Sequence, residues 1–365
     1  MGWVPADPSR APRPIRNGGR EMKLDSQIMK SQLLQRQAES FLNTTLQCIA
    51  RMGRDPFDWD EPYAIHALID KVVLLGDWDT RTNDWIIMKE MFSPFHVDKS
   101  YVPNDRMPNY KVKLIKNLPD CQVIIFNDVI NCYLPPFLME VHASEGTTMQ
   151  QYKERLHQIG QRLPHLKVSL VEYTLDLFCH AYTTGVQRLF RALRKHAYFP
   201  YQRTATLYGE EQAWGDKTRM NMTYRVSDVK MYERGPDRER RAKYWNLADT
   251  DRVRLEHTAR RKTLVKYWIH VLNDFVERPQ FHTINGDIFV FKCFDGSKKL
   301  PHYWNAYGTP DAKGNGGCFQ LELNRRRHDV KNIHQYMRDV HQLDALKSEL
   351  ERAMIGFDSQ WEQLT

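Results

Sequence analysis

Between Val226 and Lys262 the chain sets one tyrosine among arginines and carboxylates at strand-like spacing. Val226 to Tyr232 alternates apolar and polar residues and runs into Glu233, Arg234 and Gly235. After a basic loop, Arg252-Val253-Arg254-Leu255-Glu256 alternates again and leads to Arg260, Arg261 and Lys262. Alternation at period two predicts two strands, each with one solvated face. Paired, they would aim Tyr232 and Glu256 into a shared site. A phenol oxygen can attack a phosphate, and cations can hold phosphate oxygens and offset the charge that develops. Lys230, Arg234, Arg252, Arg254, Arg260 and Arg261 are the cations placed to bind a nucleic-acid backbone. The chemistry suggested is the cutting of a nucleic-acid strand. A sheet edge with surface charge shows the same pattern, and these residues alone do not separate the two readings.

Two further stretches carry carboxylates on a strand face. In LPPFLMEVHAS, residues 134 to 144, Glu140 and His142 fall two apart and so share a face. In KVSLVEYTLDLF, residues 167 to 178, Leu170, Glu172, Thr174 and Asp176 share a face. Two acids inside an otherwise apolar strand are costly unless paired or bound to a cation. Glu140, His142, Glu172, Asp176 and Glu256 are therefore expected to hold or support a divalent cation, Mg²⁺ or Mn²⁺ by the softness of the donors. A solvated outer face is the alternative for Glu140 and His142. Asp70, within ALIDKVVLL, is an acid that either pairs at an edge or faces the same site.

The elements that would position these residues read as follows. Strands are expected at Ala67 to Leu75, Tyr110 to Lys116, Gln122 to Asn127, Leu134 to Ser144, Lys167 to Phe178, Thr204 to Tyr208 and Met220 to Tyr224. They are followed by the tyrosine strand and the Glu256 strand. Thr147 to Leu163 is an amphipathic helix closed by Pro164, and Thr183 to Ala197 a basic one. Thr82 to Phe92 fits a short helix or a strand. Pro94 to Asn109 reads as loop, and Gly209 to Lys217 as a polar turn. Leu264 to Val276 is expected as one helix, Phe281 to Asp295 as β-like, and Asn332 to Met354 as a charged amphipathic helix. This is an α+β chain, with a basic tail and accessory helix over 1–52, a main domain over 60–279 and a smaller C-terminal accessory region over 280–365.

Composition bounds the partners. The chain has 365 residues, 41% hydrophobic and 12% aromatic, with net charge +8. That excess suits a polyanion without distinguishing DNA, RNA or an acidic membrane. None of the six cysteines forms a C-x-x-C pair, so neither a zinc ribbon nor a dithiol redox motif is expected. No run of about 18 apolar residues is present, so no membrane span is expected, and a reducing cytoplasm is the default compartment.

Three blocks in order resemble rolling-circle replication initiators, namely the gene II-type replication endonuclease of filamentous phages and the plasmid initiators of the staphylococcal group. They are the strand and following helix around Pro136 to Ser144, the SLVEYTLDLF strand, and VKMYERG followed by RVRLEHTARR. The match spans about Leu134 to Arg261. It departs from the family pattern at Leu170 and Lys230, where the family has arginine, and after Tyr232, where the usual lysine is displaced to Arg234 or missing. The resemblance implies an HUH-like endonuclease with a central antiparallel sheet flanked by helices. It implies Tyr232 as the nucleophile, a 5′-phosphotyrosyl link to single-stranded or extruded origin DNA, and a 3′-hydroxyl left for a host polymerase, with a helicase alongside. Paired histidines are not visible, and Glu140-Val141-His142 would be a degenerate form. Three other readings stay open: a tyrosine recombinase, cued by His257-Thr258-Ala259-Arg260; a mobile-element relaxase; and a non-catalytic DNA-binding replication regulator.

Overall fold

The computed structural model describes residues 62, 64–76, 81–103, 110–130, 133–144, 147–179, 185–198, 205–214, 217–226, 228–233, 252–294 and 337–364. The chain divides into two compact units, one of Met1–Pro56 with Ala213–Arg219, the other of Phe57–Gln212 with Met220–Thr365. The candidate site lies wholly within the second.

Alternating sequence dictates a sheet. The strands are β1 (Ala64–Leu75), β2 (His96–Val97), β3 (Tyr110–Asn117), β4 (Cys121–Val129), β5 (Leu138–Ala143) and β6 (Lys167–Phe178). After these come β7 (Ala197–Tyr198), β8 (Ala205–Trp214), β9 (Lys217–Val226), β10 (Val229–Glu233), β11 (Arg252–Arg260), β12 (Val290–Phe294) and β13 (Met337–Asp339). Ten of them form one sheet in the order β2-β3-β4-β5-β1-β6-β11-β10-β9-β8. The pairs from β2 through to β9 are antiparallel. The strands that carry the chemical residues, β5, β1, β6, β11 and β10, are consecutive neighbours at its middle. A smaller sheet has the order β13-β12-β7. The fold is α+β, built on a large antiparallel sheet.

The helices are α1 (Arg81–Phe92), α2 (Met149–Arg162), α3 (Gly185–His196), α4 (Arg261–Lys266), α5 (Leu272–Glu277), α6 (Phe281–Asn285) and α7 (Asp344–Gln363). On β6, Val171, Tyr173, Leu175 and Leu177 are buried in one continuous core with Leu156 and Ile159 of α2, Phe275 of α5, Phe281 of α6 and Phe357 and Trp361 of α7. Aromatic contacts tie this side together. Tyr173 meets Phe281 with centroids 5.0 Å apart, Phe281 meets Phe357 at 5.0 Å, and Phe357 stacks on Trp361 at 5.5 Å. Their polar ends are satisfied, Tyr173 donating to the Pro279 carbonyl at 2.6 Å and Trp361 Nε1 to that of Val276 at 2.8 Å. The C-terminal helix thus shares the core of the main sheet. With one sheet face filled by apolar helices, the other face of β6 is the one left for Leu170, Glu172, Thr174 and Asp176.

Of the two readings open for Thr82 to Phe92, the helix is the one observed, starting at Arg81. Several other elements differ from the sequence reading. The Gly209 to Lys217 stretch is not a turn: β8 runs to Trp214 and β9 begins at Lys217. Leu264 to Val276 is two helices. Trp268 takes a positive φ of 64°, and the Asp274 carboxylate accepts from the backbone N–H groups of His270 and Val271, starting α5 afresh. Phe281 to Asn285 is helical rather than β-like, because Asp358 of α7 accepts the first N–H groups of α6, those of Phe281 and His282, at 2.8 and 2.9 Å. Met337–Asp339 is a strand, and the helix expected from Asn332 begins at Asp344. Arg234, the basic tail and the accessory helix of residues 24 to 51 lie outside the described residues. Among the described residues no helix is long and apolar enough to cross a membrane.

Candidate active site

Register decides which side chains meet. Across β10 and β11, Lys230 is opposite Glu256 and Tyr232 is opposite Arg254. Across β11 and β6, Glu256 is opposite Thr174 and Arg254 is opposite Asp176. On the far side of β6, Glu172 is opposite Lys71 of β1, which in turn faces His142 of β5. Residues opposite one another in antiparallel strands project from the same face. His142, Lys71, Glu172, Glu256, Lys230, Arg254, Asp176 and Tyr232 therefore belong to one face, the one turned away from the helices.

The contacts form a connected network. The Tyr232 hydroxyl donates to Oε1 of Glu256. The second oxygen of Glu256 accepts from Lys230 Nζ at 3.0 Å, and Lys230 also donates to Glu172 Oε1 at 3.2 Å. Glu172 Oε2 meets Lys71 Nζ at 3.3 Å. Arg254 forks onto Asp176, with Nε and one terminal nitrogen each 2.7 Å from a carboxylate oxygen. Its other terminal nitrogen reaches Asp70 at 3.2 Å and lies 3.9 Å from Glu256. Asp70 gets there because the β1–β6 register shifts between Ile69 and Lys71, a bulge that frees one residue from the pleat. Arg252 Nε is 3.5 Å from Asp176, and its guanidinium lies over the Phe178 ring at 5.2 Å. At the β5 end, His142 Nε2 and Glu140 Oε2 are 2.9 Å apart.

These charges sit in a dry setting. Tyr232 is 7% exposed, Glu172 6%, Glu256 5%, Arg254 3% and Asp176 2%. Lys230, Lys71, Asp70 and His142, with side chains 31%, 22%, 33% and 29% exposed, reach water. Burial raises the Glu256 carboxyl above its ordinary value, and neighbouring Glu172 adds to the rise against the pull of Lys230. Burial pushes Glu172 the same way, but Lys230 and Lys71 outweigh it and hold that carboxyl below its ordinary value. Lys230 loses by burial and gains more from Glu256 and Glu172, so its ammonium is held charged. A glutamate made a stronger base, hydrogen-bonded to a phenol with an ammonium beside it, is able to take the phenolic proton as the oxygen attacks. A cavity of about 930 Å³ is bounded by His66, Asp70, Asp176, Arg252 and Arg254 together with Tyr152 of α2 and Phe357 and Trp361 of α7; Tyr232, Glu256, Glu172 and Lys230 do not line it.

The residues expected to hold a divalent cation do not fit one. Such an ion needs several oxygens free to converge on one centre. Both oxygens of Asp176 go to Arg254, those of Glu172 to Lys230 and Lys71, and those of Glu256 to Lys230 and Tyr232. Glu140 and His142 pair with one another two strands away. Among the described residues, no group of three or more His, Cys, Asp or Glu is placed to bind a metal ion.

The arginines expected on a phosphate backbone also divide. Arg254 is spent on Asp176, and Arg252 lies against Asp176 and Phe178. Arg260, its side chain 59% exposed, pairs with Asp228 at 2.9 Å. Arg261 donates to the carbonyls of Val168 and His270, a structural role at the start of α4. The histidine of the H-x-x-R cue faces the other way: His257 is buried on the helix side against Asn285 at 2.7 Å, whereas Arg260 is on the charged face. The two therefore share no site. Lys71 was missed by sequence reasoning, although a lysine inside ALIDKVVLL calls for a buried anionic partner.

No family model matches this chain, and no curated protein matches it. Its structure is similar to that of a rolling-circle replication initiator protein from Geobacillus stearothermophilus, with TM-score 0.39 and 11% identity over 67% of this chain and 95% of that one. At that score the likeness decides neither fold nor chemistry.

Proposed function

We propose that this protein cuts and rejoins a DNA strand by transesterification at Tyr232, in the manner of a rolling-circle replication initiator. One observation carries the reading: the Tyr232 hydroxyl donates to a buried glutamate whose other oxygen is held by Lys230. A tyrosine serving only to pack has no need of a base and a cation on one carboxylate. The strands carrying the second and third resembling blocks, β6, β11 and β10, are direct neighbours, and β5, carrying the first, is separated from β6 by β1 alone, which supports the same reading. In the cutting step the phenol oxygen attacks the phosphorus, Glu256 accepts the phenolic proton, and the chain stays joined to the 5′-phosphate. The freed 3′-hydroxyl is then available to a polymerase, with a helicase opening the duplex ahead of it, in a bacterial cytoplasm. Attack by that hydroxyl on the phosphotyrosine reseals the strand.

The test is to incubate the protein with single-stranded DNA, denature it, and look for a covalent adduct whose attached residue is mapped by peptide sequencing. The expected result is an adduct on Tyr232 that Tyr232→Phe abolishes. Binding without any adduct would leave a DNA-binding regulator and overturn the proposal.

A further inference from the structure

The network meets its carboxylates with ammonium and guanidinium groups, which leaves Lys230 in the place where a catalytic cation has to act. Lys230 precedes Tyr232 by two residues on β10 and so lies on the same face. Its Nζ is 3.0 Å from the Glu256 oxygen that Tyr232 does not use. With its side chain 31% exposed, against 6% for Glu256 and 8% for Glu172, it is the member of this trio open to an incoming phosphate. The carboxylates around it are already neutralised by fixed cations, so a divalent ion would have to displace Lys230 and Lys71 to bind them.

We infer that Lys230 replaces the divalent cation in this site, binding the scissile phosphate and protonating the departing 3′ oxygen, so that cleavage runs without metal. The inference rests on the strand-transfer reading above. As the bond between the Tyr232 oxygen and phosphorus forms, the bond from phosphorus to the 3′ oxygen breaks. The phenolic proton goes to Glu256, and Lys230 gives a proton to the 3′ oxygen. Turning of the Glu256 carboxyl then hands its proton to the neutral Lys230 amine. The net change is one proton carried from the phenol to the leaving hydroxyl, and resealing runs the same path in reverse. No oxidant, reductant or co-substrate is needed.

The experiment uses the full chain and a 3′-labelled random-sequence single-stranded DNA library, with excess EDTA in one arm and Mn²⁺ in the other. Wild type is expected to form the adduct to similar yield in both. Lys230→Met is expected to slow it about 10²–10⁴-fold in both, the range for loss of a general acid. Lys230→Arg, which keeps the charge but is a far weaker proton donor, is expected to stay slow. Once a cleaved sequence is read from the adducts, an oligonucleotide with sulfur in place of the bridging 3′ oxygen supplies a leaving group that needs no proton. It should restore Lys230→Met and Lys230→Arg towards wild type, an effect that a merely structural lysine would not show. An adduct formed with Mn²⁺ and lost in EDTA, or no rescue by sulfur, overturns this inference and leaves attack by Tyr232 standing. No adduct in either arm, or one that survives Tyr232→Phe, overturns the reading beneath it. Should Lys230→Met fail to fold, the EDTA arm and Lys230→Arg with the sulfur substrate still decide.

Discussion

Tyr232 and Glu256 lie on neighbouring strands, two residues out of register, and the phenol donates to the carboxylate across the diagonal. Tyr232 is directly opposite Arg254 rather than Glu256, so the contact depends on the reach of two long side chains over the pleat. Glu256→Gln keeps the shape and an acceptor oxygen but cannot take the proton. Adduct formation should fall about 10²–10⁴-fold with DNA affinity little changed, measured by single-turnover cleavage beside a filter-binding titration. Equal losses in rate and affinity would mean that Glu256 only shapes the site.

Glu256 and Glu172 share Lys230 yet shift in opposite directions, and this fixes a pH signature. Glu256 is raised above 4.5, so its contribution to stability is fully present below that value and is lost as pH rises through its folded pKa. Glu172 is lowered below 4.5, so its contribution is present above that value and is lost as pH falls through its folded pKa. The destabilisation caused by Glu172→Gln should therefore grow from acid to neutral pH, and that caused by Glu256→Gln should shrink. Urea denaturation of both variants across this range measures the two slopes. Cleavage should also show an acid limb above the ordinary glutamate range, since Glu256 must ionise to act as base.

Arg254 and Asp176 are 3% and 2% exposed and bonded through two parallel contacts. Removing one partner strands a buried charge, so Asp176→Asn should cost about 3–5 kcal/mol by chemical denaturation. Replacing both, Asp176→Leu with Arg254→Met, should recover most of that loss. A cost below about 1 kcal/mol for Asp176→Asn would show the pair to be hydrated, as surface pairs are.

Helix α2 opens with a reciprocal cap. Thr148 Oγ1 accepts from the Gln151 N–H at 3.2 Å, and Gln151 Oε1 accepts from the Thr148 N–H at 3.0 Å. Thr148→Ala should lower stability by about 1 kcal/mol in thermal or urea melts. Thr148→Ser should restore it.

Local pattern carried much of this molecule. Period-two alternation placed Glu172, Thr174 and Asp176 on one face of β6, and the same alternation put Tyr232 and Glu256 on adjacent strands. It failed where partners from elsewhere override local preference. α6 forms because Asp358, distant in sequence, caps it, and α4 and α5 separate because Asp274 starts a second helix within a run that reads as one. The 3.6-residue pattern contains neither event.

The residue types that could do chemistry were legible in the chain, because an acid or a tyrosine in an alternating strand must point to one face or the other. What each acid binds was decided by tertiary register alone. Side chains two strands apart, Lys230 with Glu172 and Arg254 with Asp70, become neighbours only when β1, β6, β11 and β10 pair in that order, and a single bulge at Asp70 redirects one of them. Carboxylates that read as ligands for a cation are met by Lys71, Lys230 and Arg254, since a buried charge takes the nearest opposite charge that packing supplies.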